Sequence, residues 1–158
     1  MKLYVKQKIF SWADTFSVYD GAENEVYLVK GALFSFGKKL TVYDTRGNEL
    51  CRIEQEIFRF RPRYHVIKGD DIVATVVKEF SMFRPYYTVE GPEWEIEGDF
   101  FSHDYEITSG GRPIAAVQKQ WFTWGDTYEL CIDERTCDPI TVMAIAIIID
   151  CVLDSRDD

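Results

Sequence analysis

The sequence predicts a mainly β fold: a twelve-stranded antiparallel closed barrel of six hairpins around a central hydrophobic C-terminal helix. Three features carry that prediction. A short template recurs six times, turn-forming sequences punctuate the copies, and one segment near the C-terminus is apolar on every side.

The template is an aromatic residue, a second ring or Leu four positions later, and an aliphatic residue two further on. It occurs as Trp12/Phe16/Val18, Phe36/Leu40/Val42 and Phe60/Tyr64/Val66, then as Phe83/Tyr87/Val89, Phe101/Tyr105/Ile107 and Trp124/Tyr128/Leu130. Successive copies lie 24, 24, 23, 18 and 23 residues apart, a period that marks a repeating supersecondary unit. The second and third positions are two apart, so they share one face of a strand. Another strand-like run precedes each template. Cys51, Ile53, Gln55 and Ile57 alternate with Arg52, Glu54 and Glu56. Trp94, Ile96, Gly98 and Phe100 alternate with Glu93, Glu95, Glu97 and Asp99. Alternation of this kind marks a strand with one face inside and one in water. Each unit is therefore a β-hairpin.

The punctuation agrees. Asp20-Gly-Ala-Glu-Asn24, Asp44-Thr-Arg-Gly-Asn48, Lys68-Gly-Asp-Asp71, Glu90-Gly-Pro92 and Ser109-Gly-Gly-Arg112 separate the units. Gly in such sequences supplies positive φ, and Asp and Asn bond the local backbone. Arg61-Pro62 and Arg84-Pro85 mark tighter reversals inside two hairpins.

Val142 to Ile149 is eight apolar residues without interruption. A segment apolar all round is enclosed by protein or lipid. A bilayer requires about 20 such residues, and Asp150 interrupts this run, so enclosure by protein is expected. Ile and Val favour strands, but length and punctuation favour a helix over 139–153. Asp138 is placed to cap it and Pro139 suits its first position. Six hairpins supply twelve strands, and closing them into a barrel removes exposed edges. A barrel of twelve strands is too wide for its own side chains to fill. The apolar helix is the expected occupant.

Composition bounds the rest. One domain spanning 1–158 is expected, with 46% hydrophobic and 28% charged residues, enough apolar surface for a sizeable core. The net charge of −9 opposes nonspecific binding to nucleic acid or to an anionic membrane, where attraction to phosphate needs positive charge, and leaves room for a local basic pocket. The first residues, Met1-Lys-Leu-Tyr-Val-Lys-Gln-Lys, lack the apolar stretch of a signal peptide, and no transmembrane segment is present. A cytoplasmic monomer is expected. Cys51, Cys131, Cys137 and Cys151 form no C-x-x-C pair, so reduced thiols acting as small hydrophobes are expected, with a Cys131–Cys137 disulfide as the alternative.

At this point the chain resembles the LURP-one-related family of the tubby C-terminal-like superfamily. The resemblance rests on Lys6-Gln-Lys-Ile-Phe-Ser11, Trp94-Glu-Ile-Glu-Gly-Asp-Phe100 with His103-Asp-Tyr105, Lys119-Gln-Trp-Phe-Thr-Trp-Gly-Asp-Thr-Tyr128, and Ala144-Ile-Ala-Ile-Ile-Ile-Asp150. It covers nearly the whole chain and implies the same barrel around a hydrophobic helix. It implies no catalytic residues. Tubby-like relatives bind phosphoinositides and scramblase-like relatives are membrane-associated, but the cysteine cluster and membrane-inserting tail of a scramblase are missing here.

Five groups of residues bear on function. Arg59, Arg61, Arg63 and Arg84 concentrate positive charge at one hairpin end. Arg suits phosphate because its planar fork donates two bonds, so these four are the candidate ligand-binding residues; the competing reading pairs them with Glu54, Glu56 and Glu79. Asp150 lies in the predicted central helix, where a carboxylate needs a partner. It either reaches a barrel mouth or meets an inward Arg, Lys or Tyr, and it reads as a structural anchor that fixes the helix register, with a ligand-facing role as the alternative. His103 sits in a turn beside Asp104, a pair that reads as surface polarity or as acid–base machinery; His65 is expected on the outer face. Glu93, Glu95, Glu97 and Asp99 form a linear row, which does not converge as a hard cation requires and reads as a solvated face. Asp133, Glu134 and Asp138 precede the helix, where capping competes with Ca²⁺ binding. No nucleophile, metal or phosphate-loop motif appears.

The expected function is that of a non-enzymatic binding or scaffold domain, with no catalytic residue, metal or cofactor assigned. The expected ligand is an anionic phospholipid headgroup or a protein partner at the Arg59–Arg84 end. The alternative is a small hydrolase or isomerase using His103 and Asp104 at the surface.

Overall fold

The structure, a computed structural model, describes residues 1–7, 15–32, 36–57, 60–80, 82, 86–100, 102–120 and 127–154, the last two without their side chains. Trp12, Phe83, Phe101 and Trp124 of the template, and Arg59 and Arg84, lie outside the described residues.

Twelve strands follow one another in chain order: β1 Lys2–Gln7, β2 Thr15–Tyr19, β3 Glu25–Gly31, β4 Lys39–Asp44, β5 Glu49–Gln55 and β6 Arg63–Lys68. They continue as β7 Asp71–Glu79, β8 Tyr86–Glu90, β9 Trp94–Asp99, β10 Asp104–Ser109, β11 Arg112–Lys119 and β12 Thr127–Ile132. One helix, α1, covers Pro139–Asp154. Each strand pairs antiparallel with its sequence neighbour, and β1 pairs with β12 to close the barrel. The predicted fold class is thus the observed one.

The repeat falls on the even strands. Its second positions, Phe16, Leu40, Tyr64, Tyr87, Tyr105 and Tyr128, and its third positions, from Val18 to Leu130, are all buried. In register they meet other inward residues: Leu40 faces Ile53, Ile53 faces Val66, Tyr87 faces Ile96, and Val117 faces Leu130. The register shifts directly after Val18, Val42, Val66 and Ile107, all third positions of the template. Such bulges increase local twist, and the turns follow immediately. Asp20 and Asp44 close two of these turns alike. Each Oδ1 accepts from two backbone amides at 2.9 Å, those of Ala22 and Asn24 in one turn and Arg46 and Asn48 in the other.

The template's first position behaves differently. Phe36 and Phe60 precede their strands and stand exposed in loops, because a spacing of four carries the ring beyond the paired residues. Loops from odd to even strands gather at one end of the barrel, called here the loop end, and tight turns from even to odd strands gather at the other. In the sequence row of acids, Glu93 belongs to the turn before β9, at φ 57, while Glu95, Glu97 and Asp99 are exposed on the strand. Gly98 opposes Tyr105 so closely that a Cβ there would meet the Asp104 carbonyl oxygen at 2.4 Å and Tyr105 Cα at 2.5 Å. Only glycine fits that crossing.

α1 runs from the turn end into the lumen. Val142 to Ile149 are 0–1% exposed, all of them in the core. The cap forms as expected: Asp138 Oδ2 accepts from the Thr141 amide at 3.2 Å and the Thr141 hydroxyl at 2.8 Å. Asp138 also pairs with Lys68 at the start of the β6–β7 turn, tying the helix start to the barrel wall. All four cysteines are free thiols, so the Cys131–Cys137 disulfide is not formed. Burial pushes the Cys51 thiol up to about 12.

Candidate functional site

The loop end holds Arg61 and Arg63, two of the four arginines that the sequence singled out. Arg61 sits in the β5–β6 loop and pairs with Glu79 at the end of β7. Arg63 opens β6. Its Nε donates to Glu56 Oε2 at 3.0 Å, and its Nη2 donates to Glu90 Oε2 at 3.1 Å. Glu90 foremost, and Glu56 with it, holds the Arg63 guanidinium above its ordinary pKa. Two of the three glutamates expected as partners are therefore in place. The third, Glu54, instead lies 3.8 Å from Arg52. Between the two arginines and β7, His65 is on the outer face: Nδ1 is 2.8 Å from Thr75 Oγ1 and Nε2 is 3.4 Å from Glu56. The structure thus brings Arg61 and Arg63 to one region of the loop end, each in an ion pair; Arg59 and Arg84 fall outside the described residues.

Asp150 meets a residue that sequence reasoning did not select for it. His103, in the turn before β10, turns inward, and its Nε2 lies 2.8 Å from Asp150 Oδ1. The side chains are 15% and 8% exposed, so this is an enclosed pair. Asp104, the sequence neighbour, is exposed on β10. The acid–base pair that forms is therefore across the barrel lumen and not between neighbours at the surface. His103 adopts φ 50 to make this contact and stacks on Tyr128 with ring centroids 5.5 Å apart. Tyr87 packs edge-on against Phe100 at 4.7 Å, and Phe100 against Tyr105 at 5.5 Å. Burial, and after it the Asp150 carboxylate, pushes the Tyr105 hydroxyl well up.

These residues make one polar layer in an otherwise apolar core. The layer was written into the sequence: the template's second position is Tyr in its last four copies, and the helix carries a single acid at that depth. What was missing was the turn geometry that swings His103 inward. Asp150 Oδ2, His103 Nδ1 and Tyr105 Oη are buried without a hydrogen-bond partner among the described residues. The acids before the helix are engaged locally: Asp133 accepts from Arg135 Nε at 3.0 Å, and Asp138 serves the cap. Burial alone would raise Asp138, but the Lys68 ammonium and the Thr141 donors together hold it below the usual carboxylate range. Among the described residues, no group of three or more His, Cys, Asp and Glu is placed to hold a metal ion, and no helix is long and apolar enough to cross a membrane.

Comparison with known proteins now adds to this geometry. The chain is 37% identical to the uncharacterised protein YxjI of Bacillus subtilis (strain 168), over 100% of this chain and 97% of that protein. Its fold is similar to the X-ray structure of the Arabidopsis thaliana protein AT5G01750, with a TM-score of 0.64, 13% identity, and coverage of 96% of this chain and 91% of the other. The LURP-one-related family model matches residues 1–150. With a barrel filled by its own helix, a relative alike over its full length and a family model spanning all twelve strands, the chain belongs to the LURP-one-related family.

Proposed function

We propose that this chain is a non-enzymatic binding domain that engages a compact anionic headgroup from outside the barrel, at the loop end. The observation that carries the reading is the filled lumen: α1 occupies the space where a carrier of this architecture would hold its ligand, so recognition is assigned to the outer surface. The enclosed His103–Asp150 pair belongs to the helix anchor in this reading and not to catalysis. Arg61 is half exposed and held by Glu79, which orients its guanidinium without closing it off. An oriented fork of this kind suits two-bond recognition of a phosphate.

The test is titration with a soluble inositol phosphate at low salt. Saturable weak binding is expected, falling with salt as the Debye length contracts from about 10 Å at 0.1 M to about 3 Å at 1 M. Arg61→Ala combined with Arg84→Ala is expected to abolish binding while leaving the melting temperature within a few degrees, because an exposed pair contributes about 0–1 kcal/mol. Absence of saturable binding at millimolar ligand would refute the reading.

A further inference from the structure

Large apolar side chains stand in water at the loop end. Phe60 is 97% exposed, Met82 92%, Phe36 83% and Phe80 58%, and Ile57 is exposed beside them. Among the described residues these five lie in the β3–β4, β5–β6 and β7–β8 connections, while Ile72 and Met1 are exposed singly at the turn end. Those loops are contiguous in space, because β3 to β8 are consecutive neighbours in the barrel. Single exposed hydrophobes are ordinary, whereas a contiguous group marks a contact with another molecule or a membrane.

Charge selects among the occupants. The described residues of these loops and their flanks carry Lys38, Lys39, Arg61 and Arg63 against Glu56 and Glu79, and Glu90 reaches Arg63 from β8, which leaves an excess of one positive charge. The turn end is the reverse. Residues 20–25, 44–49, 68–71, 91–93, 109–112 and 133–138 hold eleven carboxylates and four cations. The net −9 is thus concentrated away from the apolar loops, and the molecule is polarised along its barrel axis. A second copy docking by the same face would set positive charge against positive. The side chains also project from separate loops, an arrangement that suits a fluid surface able to flow around each one.

We propose that these three loops form a docking face for an anionic bilayer, with Phe36, Ile57, Phe60, Phe80 and Met82 entering the boundary between headgroups and acyl chains. Apolar side chains rimmed by cations bind such surfaces by both terms, burial and attraction to anionic lipid. The acidic turn end is repelled by the same surface, which sets the barrel axis upright on it. This proposal rests on the headgroup reading above and adds insertion to it.

Flotation with mixed phosphatidylcholine–phosphatidylserine vesicles, compared with pure phosphatidylcholine vesicles, tests it. The wild type is expected to float with the mixed vesicles and far less with the neutral ones. Phe60→Ser and Met82→Ser are each expected to lower partitioning about tenfold, with melting temperatures unchanged because both side chains lie in solvent. Wild-type partitioning by both variants would overturn insertion while leaving headgroup recognition intact. Soluble inositol phosphate binding without vesicle binding would overturn it too. So would self-association that Phe60→Ser abolishes, since the face would then be a contact between copies.

Discussion

Replacing Asp150 with alanine removes the one acid set into the core face of α1. His103 would keep its inward position with neither ring nitrogen partnered, in a site where its side chain is 15% exposed. Removing one partner of a buried hydrogen bond costs about 1–3 kcal/mol, against a total stability of about 5–15 kcal/mol for a domain. For a chain of this size each kcal/mol moves the melting temperature by about 2–4 °C, so a drop of about 2–12 °C is expected for Asp150→Ala. Asp150→Asn keeps an oxygen acceptor of the same shape and is expected to lose about 1–2 kcal/mol. The decisive assay is a double-mutant cycle with His103→Ala, followed by urea denaturation. Alanine at φ 50 introduces strain, but that strain is common to the single and double variants and cancels. A coupling energy of about 1–3 kcal/mol is expected for a direct contact. A coupling near zero, with Asp150→Ala losing less than about 1 kcal/mol, would refute the view that this pair anchors the helix.

Two further outcomes follow from the helix. Ile147→Asp, or a chain ending at Asp138, is expected to be insoluble or unfolded, since each buried Ile contributes about 1.5–3 kcal/mol and the inward wall residues pack in one core with α1; a cooperative melt with native-like β circular dichroism checks this and would contradict it. Asp138→Ala is expected to cost about 1 kcal/mol through the lost cap. Because the folded pKa of Asp138 is depressed, its contribution is present above the ordinary Asp value of about 3.9 and is lost as pH falls through the lower folded value. Melting scans should therefore show the wild type and Asp138→Ala converging in acid.

Much of the architecture was legible because it rests on local and periodic signals. Period-two alternation, Asx-Gly turns and an unbroken apolar run each have one structural solution, and twelve strands around one helix satisfy all three at once. The site residues were less legible because they depend on side-chain choices made across the barrel. The acid in the helix marked a buried polar contact, but candidate partners were sought among Arg, Lys and Tyr. His103 escaped because its sequence neighbour Asp104 offered a nearer acid, and only the positive φ at that turn sends the ring inward. The glutamates beside Arg61 and Arg63 were identifiable in advance, since Glu56 and Glu79 sit within one hairpin of them. Glu90 was not, because its meeting with Arg63 depends on the stagger of β6, β7 and β8. The repeat's first position carried no strand assignment, and in the two described copies, Phe36 and Phe60, the strand starts after the ring.

Barrel closure also dictates the order in which this molecule can come into being. β1 has its second partner in β12, and the N-terminal ammonium donates to the Ile132 carbonyl at 2.9 Å across a separation of 131 residues. The segment that fills the lumen comes later still in the chain. A ribosome therefore releases eleven strands whose inward faces have nothing to cover them, and the nucleus for packing emerges last. Chains dominated by such distant pairings fold slowly, and exposed strand edges and apolar faces in the waiting interval invite aggregation. Synthesis at lower temperature, or with a holding chaperone present, should raise the yield of native protein far more than it would for a fold whose core is complete in its first half.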